Sequence, residues 1–211
     1  WKFIQRDYVR FPDEWYNSGF VSVALAENNT QVRVTFDPDV PVTAEWTGDG
    51  DRVSLTDPGN WTCRNAIGTV LADRLPSPTQ TRAIFKGNLA CSVTGAQNWQ
   101  TTSLENVKLT GNCDWSGLDL MSLLADGAVD LNGYSLKLSA PGSISAIPFT
   151  FTDTLGSGEL HFVVGEGTSF LWRKVALTGN LKLVKEGLGI LEVGSIASTC
   201  TMDVIGGMAN G

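Results

Sequence analysis

The most constraining feature of this chain is the brevity of its apolar–polar alternations and the regularity of the turns between them. From Arg82 onward the candidate strands are 83–85, 90–94, 103–109, 128–131, 135–138, 149–152, 159–164, 174–177, 180–185 and 189–193. The gaps hold Gly, Asn, Asp or Pro, residues that suit sharp bends and positive φ. Many short strands with turn signals at near-even spacing point to an all-β sandwich, barrel or solenoid. Internal echoes favour the solenoid. Leu109-Thr-Gly-Asn112 returns as Leu177-Thr-Gly-Asn180, and Gly87-Asn-Leu89 as Gly179-Asn-Leu181. The expected fold is therefore all-β, a right-handed parallel β-solenoid preceded by a β-rich N-terminal segment. Asn-Gly is also a strong hairpin signal, so an antiparallel β-sandwich is the alternative. One helix is expected over Trp115–Ala125, where Leu118, Met121 and Leu124 recur every third residue before Asp126-Gly127.

The same reading divides the chain into four parts. Residues 1–43 form a β-rich segment or cap, in which Gln31–Phe36 should be a half-buried strand with Val32, Val34 and Phe36 on one face. Residues 44–81 are a loop-rich connector punctuated by Thr47-Gly-Asp-Gly-Asp51, Asp57-Pro-Gly-Asn60 and Pro76-Ser-Pro78. Residues 82–194 are the solenoid, and 195–211 a C-terminal tail or truncated strand. The chain opens at Trp1 without a Met, as expected of a mature product or an excised piece, and no stretch approaches the roughly 18 apolar residues of a membrane span.

Composition removes several function classes. There are 15 Lys and Arg against 22 Asp and Glu, a net charge of −7, and phosphate contacts need basic clusters that this chain lacks. No nucleic-acid partner and no membrane insertion are expected. A single histidine, His161, cannot build a His₂ or His₃ metal site. It lies in a strand-like run without a nucleophile elbow beside it, so a place on a strand face is expected. The carboxylate neighbours Asp13 and Glu14, and Asp37 and Asp39, read as solvated loop charge rather than as a hydrolytic pair. Asn28-Asn29-Thr30 and Asn60-Trp61-Thr62 fit the glycosylation pattern, without consequence in a bacterial protein.

Seven Trp residues invite a carbohydrate reading, because an exposed indole offers a large, rigid contact face. Trp99 and Trp172 are the candidates, while Trp46 and Trp61 are expected to be structural. Asp49 and Asp51 are weak candidates for calcium, since hard cations want converging oxygens, but neither an EF-hand loop nor a calcium nonapeptide repeat is present; a plain turn is the favoured reading, and no metal or cofactor is expected. Cys63, Cys91, Cys113 and Cys200 lack any C-x-x-C spacing, so zinc is not indicated. Their even number allows two disulfides in three pairings, or none.

Leu183-Val-Lys-Glu-Gly-Leu-Gly-Ile-Leu191 resembles the L-x-K-x-G-x-G-x-L core of the autotransporter-associated β-strand repeat. Val129-Asp-Leu-Asn-Gly-Tyr-Ser-Leu-Lys-Leu138 is similar to the segment that often precedes such repeats. Trp46-Thr-Gly-Asp-Gly-Asp51 with Asp57-Pro-Gly-Asn-Trp61 is similar to the opening of large secreted bacterial surface proteins of this kind. After Val193 the chain departs from the pattern. The resemblance implies a non-enzymatic β-solenoid passenger or stalk on a bacterial surface, with self-association, neighbouring domains or polysaccharide as partners and no catalytic residue. A carbohydrate-binding module is the alternative, and a polysaccharide-degrading enzyme on a β-helix a second one. The enzyme would show carboxylates clustered with Lys or Arg on one solenoid face.

Overall fold

The structure is a computed structural model that describes residues 11–17, 19–26, 31–77, 81–124, 126–139 and 147–210. Asn28–Thr30 and Ala125 therefore lie outside the described residues.

Alternating strands that return in parallel build a β-solenoid. One face is a five-stranded parallel sheet of β8 (Cys113–Trp115), β10 (Ser135–Ser139), β12 (Glu159–Val163), β14 (Lys182–Glu186) and β16 (Thr201–Ile205), stacked in that order. The other is a ten-stranded sheet. Its parallel part runs through β3 (Thr43–Trp46), β6 (Arg82–Leu89), β7 (Thr101–Leu109), β9 (Gly127–Asp130), β11 (Phe149–Asp153), β13 (Ser169–Gly179), β15 (Ile190–Ile196) and β17 (Met208–Asn210). Register shifts between Lys86 and Gly87, and between Trp172 and Ala176, are irregularities of the kind that bend a sheet. The antiparallel sandwich is thereby set aside.

Coil repetition places like residues in columns. Cys113, Leu136, Leu160, Leu183 and Met202 are successive partners in the five-stranded sheet. Val107, Val129, Phe151, Leu177 and Ile196 run the same way through the larger sheet. Because side chains alternate along a strand, these columns meet in one interior. A single apolar cluster extends from Ala44 to Val193. Backbone groups pair between coils, so the core is walled by ladders rather than sealed by helices.

The turns depend on glycine at a few points. Gly187 adopts φ +81°, and a Cβ there would strike the Val164 carbonyl of the coil below. Asp153, 2% exposed, organises another corner. Its Oδ1 accepts from Gly133 N at 2.7 Å and Leu155 N at 3.4 Å, and its Oδ2 from Gly158 N at 2.7 Å.

The two ends differ. At the N-terminal end β3 pairs antiparallel with β4 (Trp61–Arg64), and β4 with the two-residue β5 (Val70–Leu71). The segment expected to be an irregular connector thus closes the larger sheet. At the other end 201–205 and 208–210, within the segment read as a tail or truncated strand, form β16 and β17 as a further coil, parallel to β14 and β15. Outside the solenoid lie α1 (Asp13–Asn17) and a hairpin of β1 (Val21–Ala26) with β2 (Gln31–Phe36). A small cluster of Phe20, Val21 and Val42 holds this part. Strand β2 is exposed throughout, so the half-buried expectation fails there: Val32 and Val34 share one ribbon face with Val23 and Leu25 and stand open, while Phe36 on the same face meets Phe11 and Phe20 edge-on and stays partly exposed.

The helix expected over 115–125 is absent from the described residues. Cys113–Trp115 is a strand, and only a 3₁₀ turn at Leu120–Ser122 follows, with Asp119 accepting from Met121 N at 2.9 Å. The three-residue spacing reflects a turn that buries Leu118, Leu120 and Leu123 and leaves Met121 exposed.

Candidate functional site

Two polar surfaces stand out, and neither contains the Trp residues singled out for sugar stacking. Trp172 is 1% exposed and Trp99 is 7% exposed. Trp172 occupies an inward position opposite Val193 among Phe149, Phe151 and Phe170, and its Nε1 donates to Ile147 O at 2.9 Å. Trp99 packs on Trp61 and Phe85. The stacking-platform expectation is corrected for both: solenoid corners put turn residues beside inward rings, so polar neighbours did not signal exposure.

The first surface is a ladder on the outer face of the five-stranded sheet. Strand pairing brings Glu159 beside Lys182 and sets His161 among them. His161 Nδ1 lies 2.7 Å from Glu186 Oε1, and Nε2 lies 3.2 Å from Glu159 Oε2. Lys182 Nζ reaches Glu159 Oε1 at 3.0 Å and Asp203 Oδ2 at 2.9 Å. Hydrogen bonds from Lys182 and then His161 hold the Glu159 carboxyl below its usual range; bonds to Asp203 and Glu159 raise the Lys182 amine. Carboxylates do cluster with a lysine on one solenoid face. Each of these five side chains is nevertheless bonded to another of the ladder, which makes it a cross-coil ion-pair network. His161 sits on a strand.

The second surface is a groove at the N-terminal end. The loop between β3 and β4 is tied down by the buried Asn60. Its Oδ1 accepts from Gly50 N and Arg52 N, each at 3.0 Å, and its Nδ2 donates to Asp51 Oδ1 at 2.6 Å and Ser54 O at 2.9 Å. Asp51 also accepts from Val53 N and Ser54 N, and these bonds hold its carboxyl low. The weak calcium candidates Asp49 and Asp51 are not brought together as ligands: Asp51 spends its oxygen on N–H donors, and no three His, Cys, Asp or Glu side chains converge as metal ligands among the described residues. Asp49 points elsewhere, lining a cavity of about 320 Å³ with Trp46, Arg52, Asn88 and Thr110. Sequence reasoning missed Arg52, Asn88 and Thr110, because they lie on three separate segments. Arg52 at φ +68° was the one local oddity, and it carries no sequence mark.

All four cysteines are free thiols, the second of the two alternatives their even number left open. Cys91 and Cys113 occupy neighbouring coils, with Val93 N donating to Asp114 O. Burial, and then the adjacent Cys113, pushes the Cys91 thiol up to about 12. Burial alone pushes Cys113 to about 11. The Cys63 thiol, raised to about 11 by burial, contacts Arg74 O.

A continuous core, coil-to-coil ladders and a self-paired polar face define the molecule as a β-solenoid protein. No protein-family model, curated protein or solved structure matches the chain. Among the described residues no helix is long and apolar enough to cross a membrane.

Proposed function

We propose that this chain is a non-enzymatic, extracellular structural and adhesive module of a bacterial surface protein, in which the stacked coils act as a rigid spacer. The observation that carries this reading is the uninterrupted inward core from Ala44 to Val193. In a solenoid each coil contacts only its neighbours, so length is gained without loss of stiffness. The charge ladder supports the same role, because its groups join coil to coil. The resemblance of Leu183–Leu191 to an autotransporter-associated repeat adds the surface setting, and the open edges of β16 and β17 are where self-association or a neighbouring domain would attach.

An antibody raised against the purified chain tests the setting. It should label intact, unpermeabilised cells of the organism that encodes the protein. Labelling seen only after permeabilisation would refute the surface role.

A further inference from the structure

Among the described Trp residues of the solenoid, Trp46 and Trp99 donate their indole N–H to no acceptor in the described residues, and of the two Trp46 lines the groove. Trp61 donates its indole N–H to Leu55 O, Trp115 to Cys91 O and Trp172 to Ile147 O. Trp46 is only 5% exposed. Its ring lies edge-to-face on Trp61 at 5.1 Å and stacks on Phe85 at 6.1 Å. No acceptor for its Nε1 is found among the described residues. The ring lines the groove, and a Cβ placed on the neighbouring Gly48 would sit 3.5 Å from that nitrogen. The ring is buried but its N–H opens onto the groove, since Arg82 Nε is the one buried side-chain N or O without a partner among the described residues, so the donor is free to meet a ligand there.

The rest of the wall says which partner. Arg52 and Asn88 supply donors, and Asp49, Asn88 and Thr110 supply acceptors. No hydrogen bond or ion pair within the described residues uses these four side chains. The buried Asn60 fixes the loop that presents Asp49 and Arg52, so the groups are held in place beforehand. A ligand that offers a donor and an acceptor on each of several adjacent carbons satisfies such a set. A free carboxylate would meet Asp49 and the chain's net charge of −7, so the fitting ligand is uncharged. We propose that this groove binds one neutral glycosyl residue, through the Trp46 N–H edge with Arg52, Asn88 and Asp49. Recognition is by hydrogen bonds alone, since both neighbours of Trp46 are aromatic and its ring is buried. Without stacking, a Kd on the order of millimolar is expected. The inference goes beyond the spacer role and would stand if that role failed.

The test follows the Trp indole N–H resonances of the full chain by nitrogen–proton NMR, with the Trp46 signal assigned by Trp46→Phe. The probes are the methyl glycosides of glucose, galactose and mannose, and sodium glucuronate, each to ~100 mM, well above a millimolar Kd. The Trp46 signal should move saturably with at least one neutral glycoside, and Asn88→Ala and Arg52→Ala should each weaken that binding at least about five-fold. These two surface variants should fold even if Trp46→Phe does not. No saturable movement with any neutral glycoside would overturn the proposal. So would unchanged binding in both variants, or a larger and tighter response to glucuronate.

Discussion

Replacing Asp153 by Asn should cost the solenoid a measurable part of its stability, and the loss should depend on pH in a defined direction. Asp153 is almost fully buried and accepts two N–H bonds of 2.7 Å, from Gly133 and Gly158, and a longer one from Leu155. Asn keeps one acceptor and turns the other oxygen into a donor that faces an N–H. Hydrogen bonds to a charged group contribute ~1.5–3 kcal/mol each, and an orphaned buried donor costs a similar amount, so a loss of about 2–4 kcal/mol is expected. For a domain of this size 1 kcal/mol moves Tm by roughly 2–4 °C, which gives a fall of about 4–16 °C at pH 7. Burial pushes the carboxyl up, but bonds from Gly158, Gly133, Leu155 and Gly156 outweigh it and the net shift is downward. The contribution is therefore complete above the unfolded carboxyl value of about 3.9 and fades as pH falls through the lower folded value. Thermal unfolding followed by near-ultraviolet circular dichroism, at pH 7 and in a descending acid series, reads both effects. A Tm within about 1 °C of wild type at pH 7, or a gap that widens in acid, would refute the reasoning. Ser157→Ala, which removes an exposed hydroxyl 3.4 Å from Gly133 O, is the control and should be nearly silent.

Three further outcomes are expected. Lys185 is fully buried, its ammonium donating to the carbonyls of Glu186, Gly187 and Gly206; Lys185→Ala should destabilise by ~2–5 kcal/mol, and Lys185→Met should recover part of this by refilling the volume, as equilibrium denaturation will read. Glu159 should titrate below the ordinary ~4.3 in a carbon-detected NMR titration and move upward in Lys182→Met, because the first cause of its shift is the Lys182 hydrogen bond. At pH 8 a thiol reagent should label the half-buried Cys200 first, with the other three thiols reacting only on unfolding; equal rates for all four would contradict the burial.

Much of the solenoid was legible because its columns are written as period-two pairs. Leu136 with Leu138, and Leu160 with Phe162, are inward residues one step apart on their strands, and the repeated Leu-Thr-Gly-Asn marked the coil. What stayed hidden required knowledge of neighbours. Lys185 reads as a surface residue in any alternation, yet it takes the inward place opposite Phe162 because turn carbonyls of two coils converge on its amine. The helix expected from Trp115 onward was false because Leu118, Met121 and Leu124, set around one 3₁₀ turn, imitate helical spacing. The groove was illegible for a different reason. Trp46, Arg52, Asn88 and Thr110 come together only after the capping loop folds over the first coils, and no local pattern records that meeting.

The unlike ends give the molecule an arrow. Antiparallel strands and the Trp46–Trp61–Phe85–Trp99 cluster anchor one end, while the other finishes in a five-residue and a three-residue strand paired on one side only. Local opening should therefore begin at β17 and β16 and travel toward β6 as a fraying front, because each coil loses its only outer neighbour in turn. A load applied between the ends would meet its weakest grip at the C-terminal coil, and the aromatic end would let go last.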